Sequence, residues 1–305
     1  MRLALMIEGQ EGVTWEQWVA LARACEDSGI EALFRSDHYS AFLGGAEGSL
    51  DAWSTVTALA AVTERVRLGT LVSPVTFRHP SLLARMVASA SRISGGRVEL
   101  GLGAGWNEGE HRQHGFPFPP AAERFAIFAE QIEIIRRSFG EEPFDFAGAH
   151  HRLEGADPRP KPLRPLNLIV GGNAKPATVA AAVGFADEYN TGFVSVAEAA
   201  RRRGVVDEAC ARADREPLTF SLLAQCVVGE DRAALARRRE RIAAIAPGDP
   251  FGAPEIAIEG TVDEVVARLR DYEAAGVERV MLRHLDVADL EMVELLGREV
   301  RPAVG

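Results

Sequence analysis

With 305 residues, 47% of them apolar, the chain has material for a large core, and its length suits one α/β barrel or two smaller domains. Its 34 basic and 44 acidic residues leave a net charge of −10, which argues against nucleic acid or an anionic membrane as a partner. No apolar run approaches the ~18 residues of a membrane helix, the apolar run at the amino terminus is too short for a signal peptide, and the scattered Cys25, Cys210 and Cys226 read as reduced thiols of a cytoplasmic protein.

In chain order, Leu3 to Ile7 is a short apolar strand, and Thr14 with Gln17 forms a capping box that opens a helix ending at Gly29. Ala32 to Phe34 is a second strand, followed by Ser36-Asp37-His38 and a loop containing Gly44, Gly45 and Gly48. The helix from about Asp51 to Thr63 is apolar nearly all round, so it has more apolar surface than one inward stripe requires. The third strand starts at Val66 and runs into Ser73-Pro74 and the polar Thr76-Phe77-Arg78-His79, with Pro80 as a good first residue of the next helix. Arg97 to Gly101 is a fourth strand leading into Gly103-Ala104-Gly105-Trp106-Asn107, and a long loop then precedes a helix from Ala122 to Phe139.

Pro143 to Pro165 reads as an insertion (about residues 141–165) folded against the body, with a hairpin around Gly148. Strands five to eight fall at Leu166–Val170, Ala186–Tyr189, Leu218–Val228 and Glu278–His284, and Thr261 with Glu264 forms another capping box. The runs Arg201–Arg203 and Arg237–Arg239 read as solvated helix faces, and Pro247 to Pro254 reads as irregular. Strands alternating with helices over residues 1–305 indicate a single (β/α)8 TIM barrel, with a doubly wound sheet as the runner-up.

Barrel chemistry gathers at the carboxyl ends of the strands. That face would hold Glu8, Asp37-His38, Leu71-Val72-Ser73, Gly103 to Asn107, Gly171-Gly172-Asn173, Thr191-Gly192 and Arg283-His284. His38 can exchange protons near neutral pH; the plainer alternative is a structural Asp37 beside a solvated ring. The Gly101-Leu102-Gly103-Ala104-Gly105-Trp106 run fails as a dinucleotide fingerprint, because Trp106 stands where the last glycine belongs. Its glycines suit either the close approach of a flat ring or tight barrel packing. Gly171-Gly172-Asn173, between a strand and a helix, could hold phosphate on backbone N–H groups. No spacing of the seven histidines suggests a metal site.

Together these stretches resemble the bacterial-luciferase-like flavin and deazaflavin oxidoreductases over nearly the whole chain. The run Gly69 to Pro80, ending in Thr-Phe-Arg-His-Pro, is most similar to the branch that uses coenzyme F420. The resemblance implies a luciferase-like TIM barrel with a cis peptide bond at Leu71–Val72. That bulge and Ser73 would support the tricyclic ring. Asp37 and the backbone at Gly103, Ala104, Gly105, Trp106 and Asn107 would contact the ring or its ribityl chain. Gly171, Gly172, Asn173, Thr191 and Gly192 would hold the phosphate, with His38 handling the proton. Sugar-phosphate dehydrogenases of the family place a glutamate where Trp106 stands, so a more apolar substrate is expected. Luciferase-like proteins pair through helices of the 51–94 region, which with the surplus apolar face implies a homodimer centred on those helices.

The expected activity is hydride transfer between F420 and a small, apolar organic substrate. An FMN-dependent monooxygenase and a non-catalytic flavin-binding barrel are the alternatives. A phosphate-binding lyase or isomerase would need a lysine or carboxylate at a strand end, where only Glu8 qualifies.

Overall fold

The computed structural model describes residues 1–43, 48–246 and 253–305. Gly44, Gly45 and most of the stretch read as irregular between Pro247 and Pro254 lie outside the described residues. The strands are β1 (Arg2–Ile7), β2 (Ala32–Arg35), β3 (Arg67–Pro74), β4 (Val98–Gly103), the hairpin β5 (Phe144–Ala147) and β6 (Arg152–Ala156), β7 (Leu168–Gly171), β8 (Glu188–Gly192), β9 (Thr219–Gly229), β10 (Ile258–Thr261) and β11 (Arg279–Arg283). Eight of them run parallel in the ring order β1-β2-β3-β4-β7-β8-β9-β11, closed by the β11–β1 pairing. The antiparallel hairpin falls where Gly148 placed it.

Helices wrap this ring: α1 (Trp15–Ser28), α2 (Ala52–Val62), α3 (Pro80–Ile93), α4 (Glu108–His114), α5 (Ala121–Phe139), α6 (Pro176–Phe185), α7 (Val196–Arg212), α8 (Arg232–Ile245), α9 (Val262–Ala274) and α10 (Leu290–Leu295). Thr14 and Gln17 form the expected capping box, and Gly29 ends α1 in the left-handed region at φ 80°. Pro80 opens α3, whose first turn is also capped by the His79 ring at 3.2 Å from the Ser81 N–H. No helix among the described residues is long and apolar enough to cross a membrane.

Two elements depart from the sequence reading. β10 is a ninth parallel strand outside the ring: Ser221–Gln225 of β9 face β11, whereas Cys226–Gly229 continue past the ring and pair with β10. Ile258-Glu259-Gly260-Thr261 is too short to show an alternating pattern. α4 forms where a loop was expected. It carries no apolar stripe and is held by its caps, Asn107 at one end and Gly115 at φ 71° at the other.

The strands alternate as a barrel requires. Leu3, Leu5 and Ile7 of β1 face the helices in the main core, whereas Ala4 and Met6 face inward to join Ala32, Phe34, Leu71, Ile169 and Met281. Below this inner layer, at the amino-terminal ends of the strands, the filling is ionic. The fully buried Arg279 guanidinium grips Glu99 in a fork, Nη1 to Oε2 at 2.7 Å and Nη2 to Oε1 at 3.1 Å, and reaches Glu188 Oε2 at 3.2 Å. Its Nε lies 3.1 Å from Glu31 Oε2. Asn167 donates to both Glu99 and Glu188, at 2.7 and 2.9 Å, and Arg67 Nε donates to Glu99 Oε1 at 2.5 Å. Burial alone would raise the Glu99 carboxyl, but Arg279 and Arg67 hold it down at about 2. Glu188 is pushed the other way by burial and by the neighbouring charge of Glu99.

Removing one partner of such a cluster leaves a buried charge uncompensated. Arg279→Ala should therefore cost about 3–5 kcal/mol in denaturant unfolding. The contribution of Glu99, whose folded pKa is depressed, is fully present above its ordinary value of 4.5 and lost as the pH falls toward about 2. A loss of stability in Arg279→Ala within experimental error of zero would show that the cluster is only a space filler.

Candidate active site

The expected cis peptide bond is present at Leu71–Val72. The β3–β4 register slips there, with Thr70 facing Leu100 and Ser73 facing Leu102, so β3 carries one extra residue. Val72 then leans over the glycines of the neighbouring strands. A Cβ on Gly101 would stand 2.8 Å from Val72 Cγ1 and 2.3 Å from the Thr70 carbonyl oxygen, and one on Gly103 would stand 2.7 Å from Val72 Cγ2. Of the two readings of this glycine run, tight barrel packing accounts for Gly101 and Gly103.

The Thr76–Pro80 stretch forms a clasp. Arg78 binds Asp37 through Nη1 at 2.6 Å and Nη2 at 3.1 Å, and reaches the Asp51 carboxylate at 2.8 Å. Trp53 Nε1 donates to Ser73 Oγ at 3.0 Å, and Ser73 Oγ donates to Asp37 Oδ2 at 2.6 Å. Thr76 Oγ1 lies 2.5 Å from His111 Nε2. Phe77 packs among the Tyr39, His111 and Phe116 rings, edge-on to the first and tilted against the other two. Asp37 and Ser73, expected at the ring, therefore have their polar atoms engaged within the framework, and neither lines the cavity described next.

At the mouth of the barrel lies a cavity of about 390 Å³. Its floor and one wall are Leu71, Val72, Pro74, Gly105 and Trp106, and Met6, Glu8, Phe193, Leu223 and Arg283 form the other side, with Ser36, His38 and Phe42 between them. Trp106 is 67% exposed and stands at the rim, edge-on to His38. Of the residues expected at the ring, Leu71, Val72, Gly105 and Trp106 come together here, joined by His38, expected as the proton handler. Gly103 and Ala104 are not among the lining residues, and Asn107 is engaged as the cap of α4, accepting from the Glu110 N–H.

His38 has a partner that sequence reasoning missed. Its Nδ1 lies 2.8 Å from Glu110 Oε2. The other Glu110 oxygen accepts the N–H groups of Ser40, at 3.0 Å, and of Tyr39. Burial would raise the Glu110 carboxyl, but the His38 ring and these N–H groups hold it below its ordinary value, so it is a carboxylate near neutral pH. A carboxylate on Nδ1 selects the tautomer that carries its proton on Nδ1 and leaves the Nε2 lone pair free. Nε2 makes no hydrogen bond among the described residues, and the ring lines the cavity. Glu110 is three residues beyond Asn107, on the one helix the sequence reading did not place.

The residues expected to hold phosphate lie together at the ends of β7 and β8. Gly172 N–H already donates to the Asn190 carbonyl at 2.9 Å and Ala174 N–H to Tyr189 Oη at 2.8 Å, so those donors are engaged. The corner instead has a cation. Arg202 Nη1 donates to Thr191 Oγ1 at 2.7 Å and to Asn173 Oδ1 at 3.0 Å, while its Nε holds Glu198. Read from sequence as part of a solvated face, Arg202 in fact turns inward and ties Asn173 to Thr191. A Cβ on Gly171 would stand 3.2 Å from Val72 Cγ1, and one on Gly192 would stand 3.4 Å from Leu223 Cβ.

Residues 2–255 match the luciferase-like monooxygenase family, and the chain belongs to it. The F420-dependent glucose-6-phosphate dehydrogenase of Intrasporangium calvum is 34% identical over 148 residues, which is 48% of this chain and 44% of that protein. The chain thus spans less than half the length of that relative. The pyrimidine monooxygenase RutA of Stutzerimonas stutzeri is 29% identical over 295 residues, 84% of this chain and 79% of that one. Among solved structures, an F420-dependent secondary alcohol dehydrogenase in complex with an F420-acetone adduct superposes with a TM-score of 0.84 over 100% of this chain and 99% of that one, at 18% identity, a likeness of fold. Family members are enzymes, and these relatives include F420-dependent dehydrogenases and a monooxygenase.

Proposed function

We propose that the chain is an oxidoreductase that transfers a hydride between coenzyme F420 and a small organic substrate, with His38 handling the proton. The observation that carries this reading is the His38–Glu110 pair, held at 2.8 Å and opening into a cavity over the Leu71–Val72 bulge. The residues fit a flat ring with a phosphate tail. The bulge and Gly105 give an apolar, small-residue floor, and Arg202 beside Asn173 and Thr191 supplies a cation at β7 and β8, where barrels commonly hold phosphate. When bound, the deazaflavin supplies the hydride. The protein's part is to support one ring face, exclude water with Phe42, Trp106 and Phe193, and give or take a proton at His38 Nε2.

The F420 branch is favoured over FMN by the likeness of Gly69 to Pro80 to that branch and by the F420-dependent relatives. F420 should bind the purified protein at least about tenfold more tightly than FMN, a difference of about 1.4 kcal/mol. Side-by-side equilibrium titration followed by cofactor fluorescence measures it, and equal or reversed affinities would remove the cofactor assignment. His38→Ala should leave that binding nearly intact and lower turnover by about 10²–10⁴-fold, the range for a lost general acid or base. The assay is F420 absorbance with a panel of small alcohols and ketones, and near-normal turnover in the variant would make His38 a bystander.

A homodimer completes the proposal. α2 buries Trp53, Val56 and Leu59 against the barrel, while Ala58 and Ala61 on its other side border a shallow groove shared with Leu82, Met86 and Ile93 of α3. Leu82 and Ile93 are more than half exposed, at 54% and 51%. Small residues beside large exposed apolar ones suit the close approach of a second copy. Light scattering should give about twice the chain mass of 32.9 kDa, and a mass of one chain at micromolar concentration would sink the dimer.

A further inference from the structure

The wall of the cavity opposite Trp106 carries a charged pair that hydride transfer does not use. Arg283 is the last residue of β11, in register with Met6 of β1 and Gln225 of β9, and its side chain turns into the cavity. Its Nε lies 3.0 Å from Glu8 Oε1, close enough for an ion contact but not aligned for a hydrogen bond. The guanidinium sits over the Phe193 ring at 5.4 Å. Among the described residues the Arg283 guanidinium makes no hydrogen bond, although the side chain is only 17% exposed. Glu8 is steadied from the other side by Gln10 Nε2 at 3.1 Å.

An arginine has five N–H donors in a rigid fork; here Nε is buried without a hydrogen-bond partner, and the Nη groups are left to face the cavity with no protein acceptor. The rest of that wall is Met6, Phe193 and Leu223. The planar fork matches a carboxylate, two parallel N–H···O bonds at once. Glu8 beside it disfavours a doubly charged group such as a phosphate more than a monoanion. The cavity, about 390 Å³, lies at the small end of ligand pockets and is shared with a cofactor ring under the function proposed above. We infer that Arg283 determines specificity by holding the carboxylate of a small substrate whose remaining surface is apolar, with Glu8 keeping the guanidinium in place. The word substrate rests on the oxidoreductase reading; the anion site itself does not.

The test is calorimetric titration of the full chain with benzoate, hexanoate, benzamide and inorganic phosphate, each with and without F420. At least one of the two carboxylates should bind about tenfold more tightly than benzamide. Arg283→Gln should abolish that preference, and Arg283→Lys should retain part of it as a point charge without the fork. F420 affinity in Arg283→Gln should stay within about twofold of wild type, and thermal unfolding checks that the variants are folded. Equal binding of carboxylates and benzamide, no saturable carboxylate binding, or tighter binding of phosphate would each overturn the inference. Loss of F420 rather than carboxylate binding in Arg283→Gln would overturn it too, by assigning the guanidinium to the cofactor. If the wild-type chain takes up neither F420 nor FMN, the oxidoreductase reading fails, while the titrations without cofactor still decide the anion site.

Discussion

A closed parallel barrel has to be filled along its axis, and this chain fills the lower half with charge. Arg279 stands inside the ring on β11 and binds Glu99 on β4 and Glu188 on β8, strands that are not its neighbours in the ring. An apolar filling could occupy the same space, and buried ion clusters are weak evidence of extra stability. What the cluster supplies is direction: the fork on Glu99 fixes which strands lie across the barrel from one another. With the floor set in this way, the inner apolar layer of Phe34, Leu71, Ile169 and Met281 sits above it, and the Leu71–Val72 bulge caps that layer.

The upper half is governed by the clasp around Arg78. It draws together the loop after β2, the end of β3 and the start of α2, none of which is contiguous in sequence. Once Asp37 is held by Arg78 and Ser73, the next residue has little freedom, and His38 meets Glu110 from α4. The site therefore separates the residues that shape it from those that face the cavity. Thr76, Phe77, Arg78 and His79 belong to the first group and contribute no side chain to the cavity lining, whereas Leu71, Val72 and Pro74 of the same run face it.

Much of the fold was legible because it obeys short-range rules. The ring strands showed as apolar runs, and Thr14, Gly29 and Pro80 marked helix ends by chemistry that needs no tertiary context. The cis bond at Leu71–Val72 came from likeness to a family, not from any local rule. The missed features are long-range. Glu110 meets His38 across 72 positions, Arg202 looks like its neighbours in an arginine run until α7 is placed against β8, and β10 exists only because β9 outruns the ring. Gly101 and Gly103 illustrate a further limit: sequence admitted both a ligand and a packing role, and only the position of Val72 decided between them.

Asp51 performs two tasks at once. Its Oδ1 caps α2 through the Ser54 N–H at 2.8 Å, and its Oδ2 holds Arg78 at the same distance. Arg78 in turn fixes Asp37, the immediate neighbour of His38. The helix bordering the exposed groove and the loop that carries His38 are thus joined through two consecutive ion pairs, Asp51–Arg78 and Arg78–Asp37. One carboxylate therefore serves as the junction between the outer wall of the barrel and the loop that carries His38.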